Sequence, residues 1–89
     1  MIEFAKSLAG HDAGVIYLII NSDDEYVYLV DGSIRKLVNP KKKKRKHIQL
    51  IKKIPIEIID ILKEEPIDDV KIKRALRIYK DLTVKSMED

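Results

Sequence analysis

The chain has 89 residues, with 18 Lys plus Arg against 15 Asp plus Glu for a net charge of +3, and a hydrophobic fraction of 45%. That length suits one compact domain with a small appendage, and the absence of cysteine excludes a disulfide scaffold, a cysteine-type zinc site, an iron–sulfur site and thiol catalysis. The longest apolar run, Val15 to Ile20, is far short of the ~20 residues of a membrane span, and residues 1–20 lack a secretory pattern, so the expected setting is cytoplasmic with no membrane partner.

Turn-forming residues divide the first half into short strands. Glu3 to Leu8 reads as a first strand, closed by the Ala9–Gly14 loop. Val15 to Ile20 is apolar on both faces, as in a central strand. Asn21 to Asp24 supplies a turn, and Tyr26 to Val30 is rich in aromatic and β-branched residues. Asp31-Gly32 fits a tight hairpin leading into a fourth strand, Ser33 to Val38; a basic loop over 40–47 follows, then a fifth strand, His47 to Ile51. Five short strands at this spacing indicate a small antiparallel barrel or sandwich. The pattern turns helical after Pro55. Ile56, Ile59 and Leu62 recur at helical spacing until Pro66. Asp68 suits the N-cap of a second helix, with Ile67 and Ile72 as its hydrophobic staple. Ile72, Ala75, Leu76 and Tyr79 form one stripe along that helix, and residues 84–89 read as frayed. The chain thus divides into 1–53, mainly β, and 54–89, a tail of two short helices packing on the barrel or on each other.

Charge is distributed unevenly. Residues 1–53 carry 11 basic and 6 acidic side chains, whereas 54–89 carry 7 and 9. Between Arg35 and Lys53 there are 10 cations and no acid, including six in a row from Lys41 to Lys46. Six adjacent like charges disfavour isolated compact structure, which makes an exposed loop the expectation. Such a loop attracts polyanions, and the counterions it releases give salt-sensitive affinity. A merely solvated face, a nuclear-import signal and an anionic-lipid patch are the competing readings.

Support for catalysis is slight. None of the four serines sits in a nucleophile-elbow context, and His11-Asp12 has no companion ligands that would make a metal centre. Glu64-Glu65 and Asp68-Asp69 read as solvated helix ends. The expectation is a non-enzymatic chain with no catalytic residue, no metal, no cofactor and no small-molecule substrate.

The segment AKSLAGHDAGVIYLII resembles a KOW motif, the strand–loop–strand element of ribosomal proteins and transcription elongation factors, with Gly14 in the loop followed by Val15, Tyr17 and Ile19. YVYLVDGSIRKLVNPKKKKRKHIQLI is similar to KOW-containing large-subunit ribosomal proteins of archaeal and eukaryotic type. Val30-Asp31-Gly32, Arg35-Lys36 and Lys46-His47-Ile48 match in order. Short bacterial KOW-domain proteins are the nearest likeness, since they share the lysine-rich loop and a D-x-x-I-x-x-A-L tail, here Asp69 to Leu76. The resemblance implies a small SH3-like five-stranded antiparallel barrel that binds RNA, ribosomal RNA above all. The residues expected to carry binding are Lys6, Ser7 and His11 beside the first loop, Arg35 and Lys36, and Lys41, Lys42, Lys43, Lys44, Arg45, Lys46 and His47. Lysines would act as phosphate point charges, Arg35 and Arg45 as two-pronged donors, and Tyr26 and Tyr28, alternating onto one face, as stacking surfaces for an unpaired base or simply as strand packing. The leading expectation is a non-catalytic, ribosome-associated RNA-binding protein. The alternative is a protein-interaction module that binds a translation or transcription factor through the barrel edge or the helical tail.

Overall fold

In the computed structural model five strands, β1 (Phe4–Ser7), β2 (Ile16–Ser22), β3 (Tyr26–Val30), β4 (Lys41–Lys44) and β5 (Ile48–Ile51), form one antiparallel sheet in the order β4-β3-β2-β1-β5. Two helices follow, α1 (Ile56–Lys63) and α2 (Asp69–Glu88), and a 3-10 turn over Arg45–His47 joins β4 to β5. The structure describes residues 2–88, with side chains through Thr83. The expected fraying over 84–89 gives way to helix as far as Glu88; Asp89 and the side chains of 84–88 lie outside the described residues.

Strand alternation divides the apolar residues between two faces. On one face Phe4, Leu18 and Val30 meet Ile54, Ile58, Leu62, Ile72, Ala75 and Leu76, so sheet and tail share one core. Phe4 is fully buried and meets the Tyr79 ring edge-on at 5.2 Å. The 72–75–76–79 stripe is therefore the buried side of α2, as its spacing predicts. Asp68 begins that helix as expected, its carboxylate accepting the Lys71 N–H at 2.8 Å.

The opposite face carries no helix, yet Ala5, Val27 and Leu29 are fully buried there beside Tyr17. Curvature explains this. β1 and β4 are separated by two strands, which in a flat sheet would put them about 14 Å apart. The Lys43 ammonium of β4 nevertheless lies 2.6 Å from the Ser7 hydroxyl of β1. The sheet is curled around its helix-free face, and β4 and β5 remain unpaired edges. The architecture is thus an open, curled sheet under two helices, a mixed α/β arrangement rather than a mainly β closed barrel. With its twenty residues, α2 is also longer than the short helix expected.

Two further expectations are corrected. Ser33 to Val38 is not a strand, and Asp31-Gly32 is not a hairpin. The Asp31 carboxylate accepts the N–H groups of Ser33 and Arg35, winding the chain locally, while the Leu37 N–H reaches the Asp69 carboxylate of α2 at 2.9 Å. Ile34 and Val38 are 84% and 91% exposed, so their apolar character reflects no buried strand face. The fourth strand is instead Lys41–Lys44, in register with β3 from Leu29↔Lys41 to Tyr26↔Lys44.

Candidate nucleic-acid interface

A run of lysines can form a strand because alternation sends consecutive ammonium groups to opposite faces. Lys41 and Lys43 point into the concave face, where Asp12 bridges them, at 2.8 Å through Oδ2 and 2.7 Å through Oδ1. Lys43 Nζ also donates to the Ser7 hydroxyl and to the Ala9 carbonyl at 2.7 Å, which uses all three of its protons. Asp12 accepts two further hydrogen bonds, from Ser7 Oγ at 2.8 Å and Tyr17 Oη at 2.9 Å. This seam ties β1, β2, β4 and the 8–15 loop together across the sheet.

Burial alone would raise the Asp12 pKa, but the bonds from Lys41, Lys43, Ser7 and Tyr17 outweigh it and hold the carboxyl far below the ordinary carboxylate range. Burial and the neighbouring Asp12 carboxylate push the Tyr17 phenol upward. A depressed carboxyl pKa contributes stability that is fully present above the unfolded value and lost as pH falls toward the native one. The thermal midpoint should therefore decline below about pH 4, and Asp12→Asn should flatten that decline in a melting series from pH 2 to 7.

Lys42 and Lys44 point to the helix-bearing face and are exposed. Lys42 Nζ sits 4.2 Å from the centre of the Tyr26 ring. Arg45 and Lys46 continue the exposed row; Arg45 is anchored by its Nε on the Asp23 carbonyl at 2.6 Å and its N–H on the Glu25 carbonyl at 2.8 Å. Lys44, Arg45 and Lys46 share a shallow cleft with Asp24 and Glu25. The Asp23 carboxyl is held below its usual range chiefly by the N–H groups of Tyr26 and Glu25, which fixes this turn.

The expected binding residues thus separate. Lys42, Lys44, Arg45 and Lys46 come together on one edge. Ser7, Lys41 and Lys43 are committed to the Asp12 seam and present little to a ligand; Ser7 is 1% exposed. His11 is exposed in the loop beside that seam, and His47 is half-buried with its carbonyl accepting the Leu8 N–H. Lys6 lies on β1, away from β4, in a cleft with Lys52, Lys53 and Tyr79. Exposed Lys36 and half-buried Arg35 lie in the loop against α2. Sequence reasoning missed Asp12 as the organiser of the lysines. Its available signal was the position of a lone acid, between Glu3 and Asp23, in the loop that adjoins the first strand. Among the described residues no group of three His, Cys, Asp or Glu could hold a metal, and no helix is long and apolar enough to cross a membrane. No known protein-family model matches this chain, and no curated protein is significantly similar to it.

Proposed function

We propose that this chain is a non-catalytic RNA-binding protein of the KOW type, associated with the ribosome, that docks on RNA through Lys42, Lys44, Arg45 and Lys46. The observation that carries the reading is the row of exposed cations on the β4 edge and the turn after it, presented by a hydrogen-bonded strand and a 3-10 turn. Because the strand is already ordered, less binding energy is lost to immobilising it. The curl that brings β4 to β1 supports an SH3-like barrel as the parent fold, with the Asp12 seam across its concave face in place of strand pairing at the edges.

Four phosphate contacts would make log affinity fall by roughly 3 to 4 per decade of salt. Reversing Lys44 and Lys46 to glutamate should lower affinity for ribosomal RNA at least about tenfold at 0.1 M salt and flatten that slope, as read by filter binding or anisotropy. Unchanged affinity in this variant would remove the β4 edge from the mechanism. Co-sedimentation of the wild type with ribosomal subunits, released at high salt, checks the ribosomal part of the proposal.

A further inference from the structure

The helix-bearing face of the sheet is only partly covered. Tyr26, Tyr28 and Val30 alternate onto it together with Lys42 and Lys44. Val30 is buried in the core shared with the helices, whereas Tyr28 and Tyr26, farther back along β3, are half-buried and open to solvent. Where β3 ends, Asp31 and Ser33 share a cleft of about 230 Å³ with Lys73, Leu76, Arg77 and Lys80 of α2. Lys73, Arg77 and Lys80 are exposed, and their i, i+4, i+7 spacing puts them on one side of the helix. Cations therefore flank a short aromatic strip: Lys42 and Lys44 run along its side, opposite Tyr28 and Tyr26, and the α2 row stands beyond its Val30 end. Of the acids beside the α2 row, Asp31 in the cleft already accepts the N–H groups of Ser33 and Arg35, Asp69 accepts that of Leu37, and Asp81 follows Lys80 on the helix. At the other end Asp23 accepts the N–H groups of Glu25 and Tyr26, and the Tyr28 hydroxyl lies 3.5 Å from its Oδ2.

Resting on the RNA reading above, we infer that this track takes an unpaired RNA segment, with bases stacked on Tyr28 and Tyr26 and phosphates held by Lys42 and Lys44 alongside the rings and by Lys73, Arg77 and Lys80 beyond Val30. Duplex RNA keeps its bases stacked on each other and offers these rings nothing but backbone, whereas splayed bases can use both rings and cations. The ammonium of Lys42, from the adjacent strand, lies over the Tyr26 ring; an incoming base replaces it there and frees Lys42 for phosphate.

Anisotropy with a fluorescent single-stranded 12-mer and with a blunt duplex containing the same strand tests the proposal. The expected results are preference for the single strand, a loss of about tenfold in that affinity for Tyr28→Leu with Tyr28→Phe near wild type, and no effect of Tyr28→Leu on the duplex. The double variant Arg77→Glu/Lys80→Glu, exposed positions whose folding is checked by thermal melting, should weaken the single strand by at least about tenfold. If that variant binds like wild type while Lys44→Glu/Lys46→Glu is weakened, the track is overturned and the RNA reading stands. Equal affinity for both RNAs, unmoved by Tyr28→Leu, also overturns it. No binding of either RNA by the wild type overturns the underlying reading. If the α2 variant loses binding to phosphatidylserine vesicles but not to RNA, the α2 cations belong to a membrane surface and the track is likewise overturned.

Discussion

Asp12→Ala is expected to destabilise the protein by about 3–5 kcal/mol, the cost of removing one partner from a buried ion pair. Lys43 is 11% exposed and Lys41 28%, so neither ammonium recovers full hydration when the carboxylate disappears. Lys43 would keep only Ser7 Oγ and the Ala9 carbonyl, both neutral, and the Tyr17 hydroxyl would lose its acceptor. Against a total stability of roughly 5–15 kcal/mol this is a large share, and urea denaturation should show a much lower midpoint. Lys43→Met is expected to cost less, because Asp12 retains Lys41, Ser7 and Tyr17. The double variant Asp12→Ala/Lys43→Met should regain part of the loss, since the more deeply buried ammonium is then gone and only the 28%-exposed Lys41 is left without its carboxylate. A single Asp12→Ala variant as stable as wild type would mean that the seam is solvated and does not hold the curl.

The same seam marks where the sequence could and could not be read. β1, β2, β3 and β5 were legible because turn residues bracket short apolar runs, and both helices because Pro55, Pro66 and Asp68 delimit 3.6-residue periodicity. β4 was not. Lysine is a poor strand former, and repulsion along the run argues for a loop; what reverses this is Asp12, some thirty residues earlier, whose carboxylate bridges the inward-facing pair. A one-dimensional reading sees six equivalent cations where the fold makes two classes, Lys41 and Lys43 as struts and Lys42, Lys44, Arg45 and Lys46 as open charge. The Ser33–Val38 error has the same origin. Its apolar residues satisfy a strand pattern, but only Leu37 packs against the core, and the deciding contact, Leu37 N–H to Asp69, spans to another element. The α2 cations lie off the buried stripe, and it is the topology that puts Lys73, Arg77 and Lys80 beside the segment following β3.

Gly32→Ala is expected to cost about 2–5 kcal/mol, from two sources that a control can separate. Gly32 has φ +78°, a left-handed conformation in which a Cβ is strained, and it also lies against the backbone of α2. An added Cβ would overlap the Asp69 carbonyl and lie 2.8 Å from the Lys73 nitrogen, both backbone atoms of α2 that cannot swing aside. Relief requires the loop to lift, which would break the Leu37–Asp69 hydrogen bond and open the cleft formed with Lys73, Arg77 and Lys80. Gly14 has a similar φ of +91° but nothing within 4 Å of an added Cβ, so Gly14→Ala should show the conformational term alone, about 1–2 kcal/mol. Equal losses in the two variants, measured by urea denaturation, would mean that loop and helix are not in contact in solution. A larger loss for Gly32→Ala, accompanied by weaker single-strand binding, would tie the docking of this loop to the placement of the α2 cations.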